Sequence, residues 1–381
     1  MEAASDATEL RRKLHRAAEL SGGEAHTAEI VREYLSALAP KAIVTGLGGH
    51  GVAAVYDGAG SGPRVMVRCE LDALPIPEGT DRGDASETLG VSHKCGHDGH
   101  MAIVASLAER LHEKPPARGS VVLLFQPAEE TGAGARLVLD DPAFSEIRPD
   151  VALALHNVPG YPLGSVLLRD GIFASTARSL SVELDGRTSH AAEPDRGLSP
   201  APALAKILST WPAVRHSVMS MAFVTVVHAR LGEPALGTSP GKAIAIATLR
   251  AQSNGVMERL AERCQYLAER IAEAHGLSAR SEWLEEFPCT ESDPSVNRII
   301  EGAALDAGLT VEHLARPFPW TDDFGHFTEE IGGAMFGLGS GERNASLHHP
   351  DYVFPEELIP IGADLFRRTV DYALSMGRIG R

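Results

Sequence analysis

The chain has 381 residues, of which 44% are hydrophobic and 23% are charged, and its formal net charge is −16 at pH 7. This length is sufficient to bury a large core and favours two domains over one. Because so acidic a surface would repel a phosphate backbone, we expect no nucleic-acid partner.

The first half of the chain alternates predicted helices and strands. Hydrophobic periodicity predicts helices over 7–20, 25–38 and 101–114. Apolar segments typical of buried strands lie at 41–45, 52–56, 63–75, 119–126 and 150–157. Fully apolar strands between helices indicate an α/β domain with a mostly parallel sheet.

The pattern changes near residue 177. An alternating, half-buried type of strand over 178–186 precedes a helix at 199–214, strands at 222–232 and 242–252, and a long helix at 256–276. This β-α-β-β-α order indicates a ferredoxin-like α+β domain inserted in the larger one. The α/β pattern returns at about residue 293, continues with a strand at 334–340 and ends in a helix from about 355.

These patterns define the predicted domains. We expect a larger domain of residues 1–177 plus 290–381 and an inserted domain of residues 178–289. The four cysteines are scattered without a CxxC pair, so a disulfide framework is not expected. Without an apolar signal segment or a run of 18 apolar residues, the sequence predicts a cytoplasmic protein with no membrane partner.

A glycine-rich segment could be mistaken for a nucleotide-binding loop. Residues 46–51, GLGGHG, fit the pattern GxGxxG. That fingerprint requires a following helix, whereas VAAVY, a strand-like segment, follows here. We therefore predict a hairpin turn.

Residues of metal-binding type follow several of the predicted strands. They are Glu70 and Asp72, Glu129 and Glu130, His156, and His348 with His349, while Cys95-Gly96-His97-Asp98-Gly99-His100 precedes a helix. In open α/β sheets, the carboxyl ends of the strands share one edge, where ligands bind. A thiolate, imidazoles and carboxylates together suit zinc first, with manganese or cobalt as alternatives.

Each of these residues also has an ordinary structural interpretation. A single histidine at a strand end is more often structural, an isolated Glu-Glu pair often starts a solvated helix, and Cys95 alone would be a small buried hydrophobic residue. The combination favours a metal site, because the segment around Cys95 is dense in ligand types. Glu129 and Glu130 could divide two roles, with one binding metal and the other acting as a general base.

Six motifs occur in order along the chain: SHKCGHDGH, FQPAEE, HN after an apolar strand, SHAAEP, TDDFGHF and LHHPDYVF. Together they resemble the amidohydrolase branch of the aminoacylase and carboxypeptidase-like di-metal peptidases, over nearly the whole chain. The resemblance implies a metal-dependent amidohydrolase that cleaves small N-acylated amino acids or related amides. It also implies two divalent metal ions per chain, held by the larger, catalytic domain, and a homodimer formed through the inserted lid or dimerisation domain.

The resemblance implies a partition of the metal ligands. Cys95 would bridge the two metals. Glu130 and His348 would hold one of them, and His97 and His156 the other.

The resemblance also implies roles for residues that do not bind metal. Glu129 would be the general base, and Asp72 or Glu70 would orient a ligand imidazole. His190, in the inserted domain, would reach the active site of a dimer partner and stabilise the oxyanion. The structural alternative for His190 is an exposed loop histidine.

The chain departs from the usual motifs of the resembled family. Glu70 stands where an aspartate is usual, and Asp322 stands where a glutamate is usual. The inserted domain lacks the usual Asn-x-Ile-Pro segment, and Thr238 or Ser239 could substitute for its asparagine. These departures leave the identity of the amide open, and a dipeptidase or a non-catalytic binding homologue remain the alternatives.

Overall fold

The structure is a computed structural model that describes residues 6–78 and 83–376. The helices are α1 (Asp6–Arg16), α2 (Ala25–Ala37), α3 (His97–Glu113), α4 (Gly134–Asp140), α5 (Phe144–Ile147), α6 (Ala201–Val214), α7 (Asn254–Ala274), α8 (Pro294–Asp306), α9 (Gly325–Glu330) and α10 (Leu358–Met376). Within these described ranges, no helix combines the length and apolarity needed to cross a bilayer.

The strands are β1 (Ala42–Leu47), β2 (Gly51–Asp57), β3 (Gly60–Glu70), β4 (Arg118–Gln126), β5 (Val151–Val158), β6 (Val166–Leu168), β7 (Gly171–Ala174), β8 (Thr176–Asp185), β9 (Ser189–His190), β10 (Ala222–Leu231), β11 (Thr238–Ser239), β12 (Lys242–Ala251), β13 (Ser278–Phe287), β14 (Thr290–Ser292), β15 (Val311–His313) and β16 (Gly333–Gly339). Strands β1 and β2 pair as a hairpin in which Leu47 opposes Gly51. The glycine-rich segment is therefore a turn between strands, as predicted.

The chain divides into two compact units. The larger unit comprises Met1–Phe173, Thr290–Pro317 and Asp322–Arg381, and the smaller comprises Ala174–Cys289 and Phe318–Thr321. Each unit has its own cluster of buried hydrophobic residues.

The larger unit is built on one mixed sheet with the order β1-β2-β4-β3-β5-β16-β6-β15. Strands β4, β3, β5 and β16 run parallel at its centre, and every residue of β5 is buried. Apolar residues of α1, α3, α8 and α10 pack into the same core as these strands. This arrangement confirms the predicted α/β class, since parallel strands covered by helices must be apolar throughout.

The smaller unit contains an antiparallel sheet with the order β10-β12-β8-β13, and apolar residues of α6 and α7 share its core. Its β-α-β-β-α-β sequence matches the predicted ferredoxin-like arrangement. Strand β13 was not predicted. Six of the ten residues in SARSEWLEEF are exposed, as expected of an edge strand, while Ala279 and Trp283 pack against the core.

Some boundaries of the elements differ from the prediction. Helix α1 ends at Arg16 rather than at residue 20, and α3 begins at His97 rather than at residue 101. Gly96 precedes α3 with a left-handed φ of 94°, which is favourable for glycine and costly for other residues. His97 and His100 therefore lie in the first turn of a helix instead of in a loop.

Candidate metal centre

The predicted ligand segments meet at one edge of the large sheet. Glu70 ends β3, Gln126 ends β4, and His156 lies near the end of β5. These strands are parallel neighbours, so their carboxyl ends share an edge. Helix α3 presents His97 there from its first turn, and the loop after β16 brings His348 to the same place.

Two triads of ligand-type atoms share one thiol. Cys95, His97 and His156 form the first triad, and Cys95, Glu130 and His348 form the second, with the ligand atoms of each triad within 4.8 Å of one another. Sγ of Cys95 lies 3.4 Å from Nε2 of His156 and 3.4 Å from Nε2 of His348. The shared thiol is therefore placed where it could contact two ions.

The imidazoles are oriented by hydrogen bonds on their far sides. Nδ1 of His97 donates to the backbone carbonyl of Asp72 at 2.8 Å, and Nδ1 of His156 donates to the carbonyl of Asn157 at 2.9 Å. Each bond leaves Nε2 facing the shared thiol, and bonds of this kind fix the tautomer of a ligand histidine. The Asp72 carboxylate accepts from the backbone N–H of Glu130 at 2.9 Å, so it also positions the carboxylate segment.

Unusual backbone geometry is concentrated around the centre. Ala128, directly before the two glutamates, has a φ of 53°, and His348 has a φ of 64°. Such left-handed conformations cost energy for residues other than glycine and persist where surrounding contacts impose them. For Ala128 one such contact is Glu24, whose buried carboxylate accepts the Ala128 N–H at 2.8 Å.

Glu129 lies beside the triads. Its Oε2 is 3.9 Å from Nε2 of His97, and its Oε1 accepts the backbone N–H of Asp323 at 3.3 Å. Burial raises the pKa of Glu129 well above its ordinary value, and the neighbouring charges of Asp322 and Glu130 act in the same direction. Burial also raises the pKa of Glu130, to about 7. Glu129 thus combines proximity to the triads with a free oxygen and an elevated pKa.

The donor set fits divalent cations. Cys95, His97 and His156 are each at least nine-tenths buried, whereas the His348 side chain is half exposed. Burial raises the pKa of the Cys95 thiol and lowers that of His156 to about 3, which favours the neutral imidazole. A divalent cation would favour the thiolate and carboxylate forms of this set. The arrangement suits two ions, with His348 on the open side.

Other predicted residues lie elsewhere or have other partners. His100 donates from Nδ1 to Glu70 at 2.7 Å and accepts the N–H of Asn157 on Nε2 at 3.2 Å, so both of its nitrogens are engaged. His349 is exposed. His190 belongs to the smaller unit, where it is exposed on β9 and pairs with Thr238 of β11.

Some residues that shape the centre were not assigned a role from sequence. Arg68 is fully buried at the end of β3, Gln126 and Asp323 contact it, and Ser21 donates to the Asp72 carboxylate at 2.7 Å. Arg68 carried a detectable signal, because an arginine within an apolar strand must find buried partners. Ser21 lies in a loop with no comparable pattern.

Most of the chain is similar to known proteins. Residues 66–372 match the model of peptidase family M20/M25/M40. An N-acetyl-L-cysteine deacetylase of Bacillus subtilis is 32% identical over 92% of this chain and 84% of its own length. An N-acetyldiaminopimelate deacetylase of Exiguobacterium sibiricum is 29% identical over 94% of this chain and 97% of its own.

A solved structure shows the same similarity. The Bacillus subtilis YXEP protein, described as a dinuclear metal binding peptidase from the M20 family, superposes with a TM-score of 0.81 at 27% identity and covers 98% of both chains. The family match spans more than half of the sequence described here. The chain therefore belongs to peptidase family M20/M25/M40.

Proposed function

We propose that this member of the M20/M25/M40 family is a di-metal amidohydrolase that removes the acyl group from small N-acylated amino acids. The observation that carries the proposal is the placement of Cys95 between two ligand triads, with Glu129 beside them. Relatives named as deacetylases of N-acetylcysteine and N-acetyldiaminopimelate support the substrate class.

The proposed assignment of ligands follows the two triads. Cys95 would bridge, His97 and His156 would complete one site, and Glu130 and His348 would complete the other. The thiolate, imidazole and carboxylate mixture favours zinc, with manganese or cobalt as alternatives. Two bound ions would supply an activated water and polarise the scissile carbonyl.

Glu129 would carry out both proton transfers, from the attacking water and to the leaving amine. Its Oε1 is engaged by the Asp323 N–H, which leaves Oε2 to accept the proton of the attacking water and deliver it to the leaving amine. The raised pKa of Glu129 suits both steps, because it makes the carboxylate a stronger base toward the water and keeps the resulting acid protonated until the amine takes the proton.

A substrate panel tests the function. N-acetyl amino acids, N-benzoyl amino acids and dipeptides should be assayed with the protein loaded with zinc, manganese or cobalt. We expect release of the free amino acid from one or both acylated sets. Cleavage of dipeptides alone would assign a dipeptidase instead, and a protein that binds two metals but cleaves none of the substrates would contradict the proposal.

We also propose that the smaller unit, residues 178–289 in outline, is a lid and homodimerisation domain. Strand β10 is an edge of its sheet, and Phe223, Val227 and Leu231 of this strand are 45%, 55% and 40% exposed. An unpaired edge carrying apolar side chains is suited to pairing with a second copy. Sedimentation should give a dimer that Val227→Lys dissociates.

Within that dimer, His190 is proposed to contact the substrate in the partner subunit's active site and to stabilise the oxyanion. Nδ1 of His190 accepts the N–H of Ala192 at 3.1 Å, which leaves Nε2 available as a donor. Subunit mixing tests this role. Glu129→Gln and His190→Ala proteins are each expected to be inactive, but mixed dimers would contain one intact site and restore roughly one quarter of the activity. If mixing restores no activity, His190 acts in the active site of its own subunit or has no role in catalysis.

A cytoplasmic location is proposed on the basis of the thiols. The four cysteines, Cys69, Cys95, Cys264 and Cys289, are all buried, and none of them forms a disulfide. Free thiols are typical of proteins from a reducing compartment. A fusion to a fluorescent protein, imaged in the producing organism, would test the location.

A further inference from the structure

A single buried arginine lies behind the metal centre. The Arg68 side chain is fully buried, and each of its nitrogens has an acceptor. Nε donates to Gln126 at 2.8 Å and Nη2 donates to Asp323 at 2.6 Å. Nη1 is shared by two carboxylates, since it contacts both Glu70 and Asp322, the latter at 3.2 Å.

One chain of contacts leads from Arg68 to a proposed metal ligand. The second oxygen of Glu70 accepts from Nδ1 of His100, and Nε2 of His100 accepts the N–H of Asn157. The carbonyl of Asn157 in turn accepts from Nδ1 of His156. A shift of Glu70 relative to Arg68 would therefore change the orientation of His156 through these hydrogen bonds.

A second chain of contacts leads from Arg68 to the proposed base. The Asp323 carboxylate is held by Arg68, by Nε2 of Gln126 at 2.9 Å and by the N–H of Ala135 at 2.8 Å. The N–H of Asp323 then donates to Oε1 of Glu129. Asp322, the immediate neighbour of Asp323, is the residue that shares Nη1 with Glu70.

We propose that Glu70 and Asp322 act as a length-matched pair of positioning residues that together set Arg68 between the metal ligands and the base. The side chains of Glu70 and Asp322 are 0% and 2% exposed, so the space around Nη1 is closed. A longer carboxylate on one side requires a shorter one on the other, because a close-packed interior does not absorb an extra methylene.

The experiment is a double-mutant cycle with Glu70→Asp, Asp322→Glu and the combined variant, each measured as the metal-loaded protein. Each single change is expected to lower kcat by about 10- to 100-fold with little change in KM, since a misplaced base or ligand acts on the chemical step. The combined variant is expected to return to within about 3-fold of the natural kcat, which is a coupling that independent sites do not show.

Melting temperature and metal content provide a second readout that needs no substrate. Each single variant should melt earlier than the natural protein, and the combined variant should recover. Glu183→Asp, the same chemical change at a surface ion pair with Arg280 in the smaller unit, is the control and should be neutral.

The double-mutant cycle decides whether Glu70 and Asp322 are matched in length. Losses in the combined variant equal to the product of the single losses, or a combined variant that fails to fold, would overturn the proposal. The link to Glu129 rests on the proposed function. If the natural protein hydrolyses nothing, that function fails, while the melting and metal cycles still decide whether Glu70 and Asp322 are matched.

Discussion

The backbone N–H of Asp323 donates to Oε1 of Glu129 at 3.3 Å, across 194 residues of sequence. The same Asp323 is anchored through its carboxylate to the buried Arg68. The position of the proposed base therefore depends on a segment outside the Glu-Glu motif itself. This contact distinguishes the two adjacent glutamates, since Oε1 of Glu129 accepts the Asp323 N–H while Glu130 belongs to a triad that contains Cys95.

Replacement of the base should remove turnover while leaving the metals bound. Glu129→Gln is expected to lower kcat by about 10²- to 10⁴-fold, the contribution typical of general acid–base catalysis. Metal content should stay close to that of the natural protein, because Glu129 belongs to neither Cys95 triad. Steady-state kinetics and elemental analysis measure the two quantities. Glu113→Gln, an exposed position in α3, is the matched control, and activity of Glu129→Gln equal to that control would refute the assignment.

Removal of the shared thiol should affect both ions at once. Cys95→Ala is expected to reduce metal content from about two ions per chain to below one, because both triads lose their common donor. Elemental analysis of the purified protein measures this. Cys264→Ala, which removes a buried thiol from α7 in the smaller unit, should keep the full metal content. Equal metal content in the two variants would show that Cys95 is not a ligand.

The C-terminal end of α2 offers a test of the backbone geometry. Ala39 follows the end of α2 with a φ of 46°, whereas the exposed Ala37 is the last residue of the helix. Ala39→Gly should stabilise the protein by about 1 kcal/mol, because glycine adopts this conformation without steric cost. Ala37→Gly should destabilise it by roughly 0.5–1 kcal/mol. Denaturant unfolding measures the change in unfolding free energy for each variant. Changes of the same sign in both variants would contradict the left-handed conformation of Ala39.

A buried ionic cluster near α1 predicts a pH-dependent stability. Nδ1 of His15 lies 2.8 Å from Asp98 and Nε2 lies 3.2 Å from Glu78, with Arg11 and the ring of His93 also facing it. Burial opposes the charged form, but the two carboxylates outweigh burial and raise the pKa of His15 to about 9. A raised pKa stabilises the fold below the unfolded-state value of about 6.5, and that contribution is lost as pH rises through about 9.

His15→Gln isolates this contribution. The natural protein should exceed the variant in unfolding free energy near neutral pH, and the gap should narrow by on the order of 3 kcal/mol as pH rises from about 6 to about 10. Denaturant unfolding at several pH values measures the gap. His26→Gln, at an exposed position in α2, is the matched control variant. If the difference in unfolding free energy between the natural protein and His15→Gln stays constant with pH, His15 does not form the charged contacts with Asp98 and Glu78.

The sequence by itself determined the fold class and the chemical type of the centre. Apolar runs within 119–126 and 150–157 identify strands covered on both faces, because continuous burial requires consecutive apolar side chains. The change of pattern near residue 177 marks the second unit, although β8, predicted as half-buried, is an inner strand that is buried along most of its length. The density of ligand-type residues around Cys95 identified the candidate metal site, because these residues are neighbours in the sequence. Strand β13 was missed because six of its ten residues are polar or charged, so its alternating burial has no matching alternation of apolar residues in the sequence.

Only the tertiary structure decided which residues support those ligands. Arg68, Gln126 and Asp323 meet through pairs separated by up to 255 residues, and no local pattern encodes a contact at that distance. The pairing of β3 with β4 brings Arg68 near Gln126, and Asp323 reaches both from the segment before α9. The hydrogen bonds then distinguish Glu129 from Glu130 and engage both nitrogens of His100, because the role of a buried polar group is set by the partners that satisfy it.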